Sequence, residues 1–463
     1  MKEKIVALIQ ETEITDDGEV SLARSLSFLL RSNFEGVVVC QGQLFLYGSG
    51  VWSRLTRDVV LSSIQAFNGL PWIAGDKQKV VKLSHAKVVG IFNSLLVCRE
   101  LLDDTFFDDV PAGVSFLNGF VAVDGPKITI ERHSPDQKAT MQIEENIPAK
   151  PSEAVPNEFI SFLNDLFLGE DDAPEKVVLL RQFIGMALAG LAATDGQKAL
   201  LLYGGGGNGK SVLIEAITNL FDPMTVVSSS PSRWSEEYYI HMLHPPARLN
   251  VCSELPEQSK GSSSETFKQV VSADVVTGRE AYGKPVSFRP KCAHIFAANS
   301  LPSSVSGDYS HGFFRRWIIL ELKREFTKEN TRRSPRDIQR SLENERGTII
   351  IWALRAVAKV IKTGEYSLPV SSSKVFEEWK VETNPVADFI ESCAEHSTSF
   401  ERFSYVYEEF KDWAMAAGRR PMSKVAFGRR LRECEIRMRR EASGKAVALK
   451  MKPRTEWLDF THH

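Results

Sequence analysis

The segment QKALLLYGGGGNGKSVLIEAITNLF, residues 197–221, constrains the fold more than any other part of the chain. ALLLY reads as a buried strand, and the apolar period after Ser211 reads as a helix. Between them stand five glycines interrupted by a single Asn, a connection with unusual backbone freedom. Gly204-x-x-x-x-Gly209-Lys210-Ser211 has the spacing of a phosphate-binding loop, the Walker A motif. Its glycines let successive N–H groups converge on one cavity, and the following helix adds the positive end of its dipole. Gly204, Gly205, Gly206, Gly207, Asn208, Gly209, Lys210, Ser211 and Val212 are therefore the expected nucleotide cradle. Lys210 is placed to reach the β- and γ-phosphates of ATP, and the Ser211 hydroxyl to hold Mg2+.

A phosphate loop does not say what the energy drives. ARLNVCSELPE ends an apolar strand at Glu254, 44 residues after Lys210. PKCAHIFAANSLP ends another at Asn299, 45 residues further on, and GFFRRWIILEL sets Arg315 and Arg316 at the head of a third. An acidic residue, a polar sensor and an arginine acting in trans are the parts that phosphoryl-transfer motors add to the loop. Each also has a plainer reading: a loop carboxylate, a turn-former before Pro302, a surface pair of arginines. REAYGKPVSFRP reads as two short strands with Lys284 at the tip, suited to a phosphate backbone and equally to an ordinary exposed loop.

Of the 463 residues, 43% are hydrophobic and 25% charged, a globular balance with no apolar run long enough to span a bilayer. The N-terminal MKEKIVALIQETE lacks the apolar core of a signal peptide. Six scattered cysteines without a CxxC pair argue against structural zinc and disulfides, and fit a reducing cytoplasm. The net charge of −2 hides a basic tail: Arg419 to Arg454 holds 13 Lys/Arg against 3 Asp/Glu, so the remainder is acidic. That imbalance fits a nucleic-acid partner or a solvated basic face.

Three domains are expected. Residues 1–150 carry hairpin signals in QGQLFLYGSGVW and VSFLNGFVAVDGPKITIE and form an α+β unit. Residues 157–365 hold the phosphate loop. Residues 370–463 alternate short helices and end in a strand, as in a winged-helix module, with Arg429, Arg430 and Arg432 on the last helix.

Together, LLLYGGGGNGKS, NVCSELPE, KQVVSADVVTGREAYGKPVSF, AANSLP and GFFRRWIIL resemble the superfamily III helicases, in particular the helicase portion of phage and plasmid primase–helicases. LFLYGSGVW, FLNGFVAV, NPVADFIE and VYEEFKDWAMAAGRRPMSKVAFGRRL extend the resemblance to most of the chain from about residue 40. It implies an α/β, AAA+-like P-loop core, an ATPase that translocates on DNA, and a homo-hexameric ring. By position, Glu254 would polarise the attacking water and share Mg2+ with Ser211, and Asn299 would sense the γ-phosphate. Arg316, with Arg315 second, would be the finger for a neighbouring subunit's ATP. Lys284, with Lys268, would grip the strand. Two departures stand out: Ser253 precedes Glu254 where many P-loop ATPases carry a second acid, and Asn250 lies within the strand. No primase motif is evident in the first 150 residues, since the acidic run LLDDTFFDDV reads as a solvated loop, so priming would need a separate protein. The competing expectation is an ATP-controlled DNA-binding initiator that separates no strands. A P-loop kinase for a small molecule fits the finger, hairpin and basic tail less well.

Overall fold

The computed structural model describes residues 1–255, 264–281, 283–301, 311–327, 330, 333–382, 385–418, 421–442 and 444–454. Tyr282, Pro302 and Arg419, which figure in the expectations above, lie outside the described residues.

The first hundred residues form a largely helical unit with its main core under the helices and a smaller aromatic cluster, Phe45, Tyr47 and Trp52, on the other face of its strands. Helices α1 (Lys2–Gln10), α2 (Glu19–Asn33), α3 (Arg57–Ile64) and α4 (His85–Leu96) enclose a meander of β1 (Gly36–Cys40), β2 (Gln43–Gly48) and β3 (Val51–Arg54). Thr56 and Ser84 cap α3 and α4 by accepting the Val59 and Lys87 N–H groups, which starts each helix where the sequence places a hydroxyl. A small hairpin, β4 (Pro71–Ala74) and β5 (Lys77–Val80), projects from the unit.

A second sheet follows, made of β6 (Gly113–Phe116), β7 (Gly119–Asp124), β8 (Lys127–Glu131) and β9 (Gln142–Ile143). The sequence reading assigned it to the domain ending at residue 150. In the structure Val114, Phe116, Val121, Ile143 and Ile147 share a core with the helices of the next region, so this sheet buries its apolar face against the central domain.

That region opens with α5 (Asn157–Leu166) and α6 (Ala173–Ala189) and builds a five-stranded parallel sheet. Its elements are β10 (Ala199–Tyr203), α7 (Lys210–Thr218), β11 (Val226–Val227), α8 (Glu237–His241), β12 (Leu249–Cys252), α9 (Ser264–Val271), β13 (Val276–Gly278), β14 (Val286–Phe288), β15 (Ala293–Ala298), α10 (His311–Phe314) and β16 (Trp317–Glu321). The strand order is β11-β12-β15-β10-β16, every pairing parallel, while β13 and β14 form a separate antiparallel hairpin. The chain is thus a mixed α/β fold with a parallel sheet. β10 and β15 are apolar along nearly their whole length because both faces are covered, the usual reason a parallel strand does not alternate. Leu200, Leu202, Ile295, Ile318 and Leu320 face a core shared with α6, α7 and α12 (Arg346–Leu354). Leu201, Phe296, Trp317 and Ile319 face the opposite core. Helices α11 (Pro335–Glu343) and α13 (Val357–Thr363) complete the first side.

The second side is closed by α14 (Val370–Glu382). The sequence reading placed this helix in the C-terminal domain. Instead Trp379 is buried at 5.0 Å from Phe314 and 5.9 Å from Trp317, so α14 belongs to the sheet's own core. The terminal unit begins after it. It packs α15 (Pro385–Cys393), α16 (Phe403–Ala416) and α17 (Lys424–Glu433) on an antiparallel sheet of β17 (Ala394–Arg402), β19 (Gly444–Met451) and β18 (Met438–Glu441). Among the described residues no helix is long and apolar enough to cross a membrane.

Candidate functional site

The glycine loop leaves the C-terminal end of β10 and enters α7, and its shape depends on its small residues. A Cβ on Gly204 would fall 2.1 Å from Asn208 Nδ2 and 2.4 Å from the Leu322 carbonyl oxygen. Gly209 has φ +81, and its Cβ would meet Leu166 Cδ1 at 2.7 Å. Gly205 and Gly206, by contrast, face open space. Asn208 is buried and donates to the Leu322 carbonyl at 2.9 Å, tying the loop to the end of β16. The Lys210 ammonium curls back onto the loop, donating to the carbonyls of Gly204 and Gly205 at 2.7 Å and to Asn208 Oδ1 at 2.9 Å. Burial pushes its pKa down with no carboxylate acting on it. Lys210 is therefore a held positive charge without an anion, at the mouth of a helix N-terminus.

The cavity above the loop is about 600 Å³, within the ordinary range for a small-molecule site. Gly206 to Val212, Ser253, Glu254 and Asn299 line it, so three sequence-separated candidates meet in one cleft. Parallel pairing explains the meeting: β10, β12 and β15 run the same way, and their C-terminal ends open on one edge. Ser211 and Glu254 are exposed there and make no side-chain hydrogen bond among the described residues. They suit Mg2+, which binds through one or two protein oxygens together with phosphates rather than in an all-protein cage. Among the described residues no group of three or more His, Cys, Asp or Glu side chains is placed to hold a metal ion. The cleft also has an apolar part, formed by Phe162, Leu166, Phe326 and Ile338, with Leu166 and Phe326 next to Gly209 of the loop, and Asp165 and Arg333 line it too. The four apolar residues come from α5, the segment after β16 and α11, and no motif in the sequence marked them.

Asn250 has a structural role. Its amide accepts from Ser229 N at 2.8 Å and donates to Ser229 O at 3.0 Å, stitching β12 to the segment after β11. Nδ2 also lies 3.3 Å from Nδ1 of the buried His294.

The arginines sit elsewhere. Ala199 pairs with Trp317 and Tyr203 with Glu321, so Arg315 and Arg316 lie at the opposite end of the sheet from the loop, about 13 Å of strand away. The sequence reading preferred Arg316 as the finger. Arg316 is only 9% exposed, donates through Nε to Ser272 Oγ at 2.8 Å, and reaches the Gly312 carbonyl through Nη1. Arg315 beside it is exposed. Lys284 is exposed in the loop between β13 and β14, and Lys268 is half-buried on α9. On α17, Arg429 and Arg432 are exposed, but Arg430 is 9% exposed because it follows Phe427 by one turn and precedes Leu431 on the packed face. The β18–β19 hairpin adds a feature the sequence reading passed over. Arg440 and Lys445 are exposed cross-strand partners, a like-charge pair that costs stability.

The fold and the cleft define a parallel α/β protein with a phosphate-loop motif at the carboxyl edge of its sheet. Residues 202–316 match a family of unknown function (DUF5906), and residues 381–453 match the family described as poxvirus D5 protein-like. Over 146 residues the chain is 26% identical to an Acanthamoeba polyphaga mimivirus protein named "Putative helicase L207/L206". That alignment takes in 30% of this chain and 15% of the mimivirus protein, so the chain spans only a small part of this relative. An A-form apo structure of the NrS-1 C-terminal region aligns with a TM-score of 0.43 at 10% identity, covering 92% of this chain and 98% of that one. A second apo structure of the same region gives 0.36 at 12% identity, covering 73% and 96%. In sequence, then, the chain is similar to a poxvirus D5-like family over its C-terminal unit and to a viral protein named as a putative helicase over 146 residues.

Proposed function

We propose that this chain is the ATP-driven motor of a replicative DNA helicase from a phage, virus or other mobile element, working as a ring of identical subunits. The observation that carries the reading is the convergence of the glycine loop, Glu254 and Asn299 on one cleft. The strand order, with β10 between β15 and β16, supports an AAA+-like superfamily III core. Three helices on a three-stranded antiparallel sheet support a C-terminal winged-helix module.

In this reading Lys210 exchanges the Gly204 and Gly205 carbonyls for the β- and γ-phosphates, and the loop N–H groups hold the same oxygens. The apolar part formed by Phe162, Leu166, Phe326 and Ile338 receives the base. Ser211 and Glu254 would hold Mg2+, which would neutralise charge on the phosphates. Glu254 orients the attacking water and Asn299 donates to the γ-phosphate. Arg315, exposed and remote from its own cleft, stabilises the transferring phosphoryl in a neighbouring subunit, while Arg316 braces it from within. Lys284 holds the strand in the channel mainly by charge, which makes translocation salt-sensitive. Arg429 and Arg432 on α17, with Arg440 and Lys445 on the neighbouring hairpin, track duplex phosphates. A polyanion there offsets the repulsion between Arg440 and Lys445.

The second reading, an ATP-controlled initiator, draws on Ser253, which lines the cleft where a second carboxylate would help hold Mg2+. Forked-DNA unwinding with wild type, Lys210→Ala, Glu254→Gln and Lys284→Ala separates the two. The motor requires unwinding by wild type, no hydrolysis by the first two variants, and hydrolysis without unwinding by Lys284→Ala. Wild type that hydrolyses ATP and binds DNA without separating strands leaves the initiator.

A further inference from the structure

A second cavity, about 490 Å³, lies between the N-terminal unit and the amino-end edge of the parallel sheet. Arg248 lines it from the residue just before β12, and Lys291 and Arg289 line it from the segment joining β14 to β15. The Arg248 guanidinium packs against the bare Cα of Gly190, where a Cβ would fall 1.8 Å from Nη1. Gly190 also ends α6 with φ +77, so two separate demands fix a glycine at that position.

The charge of Arg248 is unanswered. Among the described residues its guanidinium donates no hydrogen bond and forms no ion pair, and burial alone acts on it, pushing its pKa down. A guanidinium has five donors, and on this half-buried side chain none of them is used inside the protein, which leaves them for an acceptor in the cavity. Lys291 forms no close ion pair: it donates to the carbonyls of Phe107 at 3.1 Å and Asp108 at 2.6 Å, with the Asp108 and Asp109 carboxylates acting on it from further off. The side chains of Asp108 and Asp109 line the same cavity without approaching either cation closely enough to pair. Aromatic rings line the same cavity: Phe45 and Phe107, 4.8 Å apart between centroids, and the ring of His244, 4.8 Å from Phe288. Gln41 and Gln43 add amide groups at the rim.

We propose that this cavity binds a nucleoside phosphate at a site separate from the glycine-loop cleft. The Arg248 fork takes the phosphate in bidentate geometry, and Lys291 adds a second charge. The base lies against these aromatic rings, and Asp108 and Asp109 accept from ribose hydroxyl or base amino groups. Occupancy acts on a joint. Gln41 already bonds His244 at 2.8 Å and Arg54 pairs with Glu280 at 3.3 Å, so the ligand sits where the N-terminal unit meets the root of the Lys284 hairpin.

The test is calorimetric titration of the full chain with AMP, which lacks the β- and γ-phosphates that Lys210 is built to hold. Adenosine and inorganic phosphate serve as part-ligands. Lys210→Ala protein is expected to bind AMP as wild type does, adenosine at least tenfold more weakly, and Arg248→Gln is expected to weaken AMP at least tenfold. Arg248→Lys, which keeps the charge and loses the fork, falls between. Because the guanidinium makes no internal hydrogen bond, thermal melts of Arg248→Gln should match wild type, and its ATP binding at the glycine loop should persist. Competition by a 5′-phosphorylated trinucleotide would assign the phosphate to a strand end, and its absence to a free nucleotide. AMP binding that is absent from Lys210→Ala protein, or unchanged by Arg248→Gln in a folded chain, overturns the proposal. Failure of the ATPase reading alone would leave the Arg248 dependence intact.

Discussion

Arg316 Nε donates to Ser272 Oγ across 2.8 Å, pinning the start of β16 to the end of α9, while the adjacent Arg315 projects into solvent. The two arginines should therefore fail differently. Arg315→Ala is expected to keep its melting temperature and lose ATP turnover by three orders of magnitude or more, the usual worth of an arginine finger. Arg316→Ala should lose ~1.5–3 kcal/mol of stability with its charged hydrogen bonds. Mixing supplies the decisive measurement: Arg315→Ala subunits hold an intact cleft and Lys210→Ala subunits an intact finger. Mixed rings should recover turnover that neither variant has alone, and no recovery would rule out action between subunits.

Within the glycine loop the positions are not equivalent. Gly209→Ala forces a left-handed residue against Leu166 and should cost ~1–2 kcal/mol from the backbone alone, besides abolishing nucleotide binding. Gly206→Ala meets nothing within 4 Å and should melt like wild type, yet its methyl intrudes where the phosphates lie. Melting curves with and without ATP would show the contrast: the ligand-induced rise shrinks in both variants, and the baseline falls only in Gly209→Ala.

His294 makes stability depend on acidity. Burial holds its pKa down to about 3, against 6.5 for the free side chain. Between those values only the unfolded chain takes up the proton, so the stability present above pH 6.5 is lost as pH falls toward 3. The loss approaches ~1.4 kcal/mol per pH unit. His294→Phe leaves the Asn250–Ser229 pair in place and removes a ring nitrogen, Nε2, that has no partner among the described residues. Denaturant titrations at pH 8 and pH 5 should show wild type losing about 2 kcal/mol more than the variant over that interval.

A chain ending at residue 369 should aggregate, because it strips Trp379 from the cluster of Phe313, Phe314 and Trp317. One ending at residue 384 keeps α14 and should remain monodisperse by gel filtration at low concentration. Equal behaviour of the two would refute the assignment of α14 to the central core.

The sequence announced the parts of the site that are punctuated by backbone chemistry. Gly204 to Ser211 were legible because few other uses exist for that many glycines before a helix, and Glu254 and Asn299 because each ends an apolar run. The apolar part of the cleft was not legible: Phe162 and Phe326 sit on amphipathic or irregular segments whose partners only the fold brings near. Arg316 was chosen over Arg315 for its place beside the strand, but adjacency along a chain does not tell which side chain turns inward. The domain edges were misjudged for a related reason. A Pro- or Ser-rich stretch such as SLPVSSSK looks like a linker, yet from Val370 on it is the first part of a helix whose Trp379 has its burial site on the sheet. Linker composition reports local freedom and says nothing of where the next apolar face goes.

The placement of β10 in the middle of the sheet has a consequence for how the molecule comes into being. Its two neighbours are residues 293–298 and 317–321, both translated long after the glycine loop has left the ribosome. Until then the loop hangs from an unpaired strand whose N–H and C=O groups face no strand partner, and its three leucines wait exposed. The working edge is thus completed only when β16 arrives. A nascent chain stalled anywhere short of β16 carries an unfinished cradle, so chaperone demand should peak late in synthesis, when the final strand closes over the first.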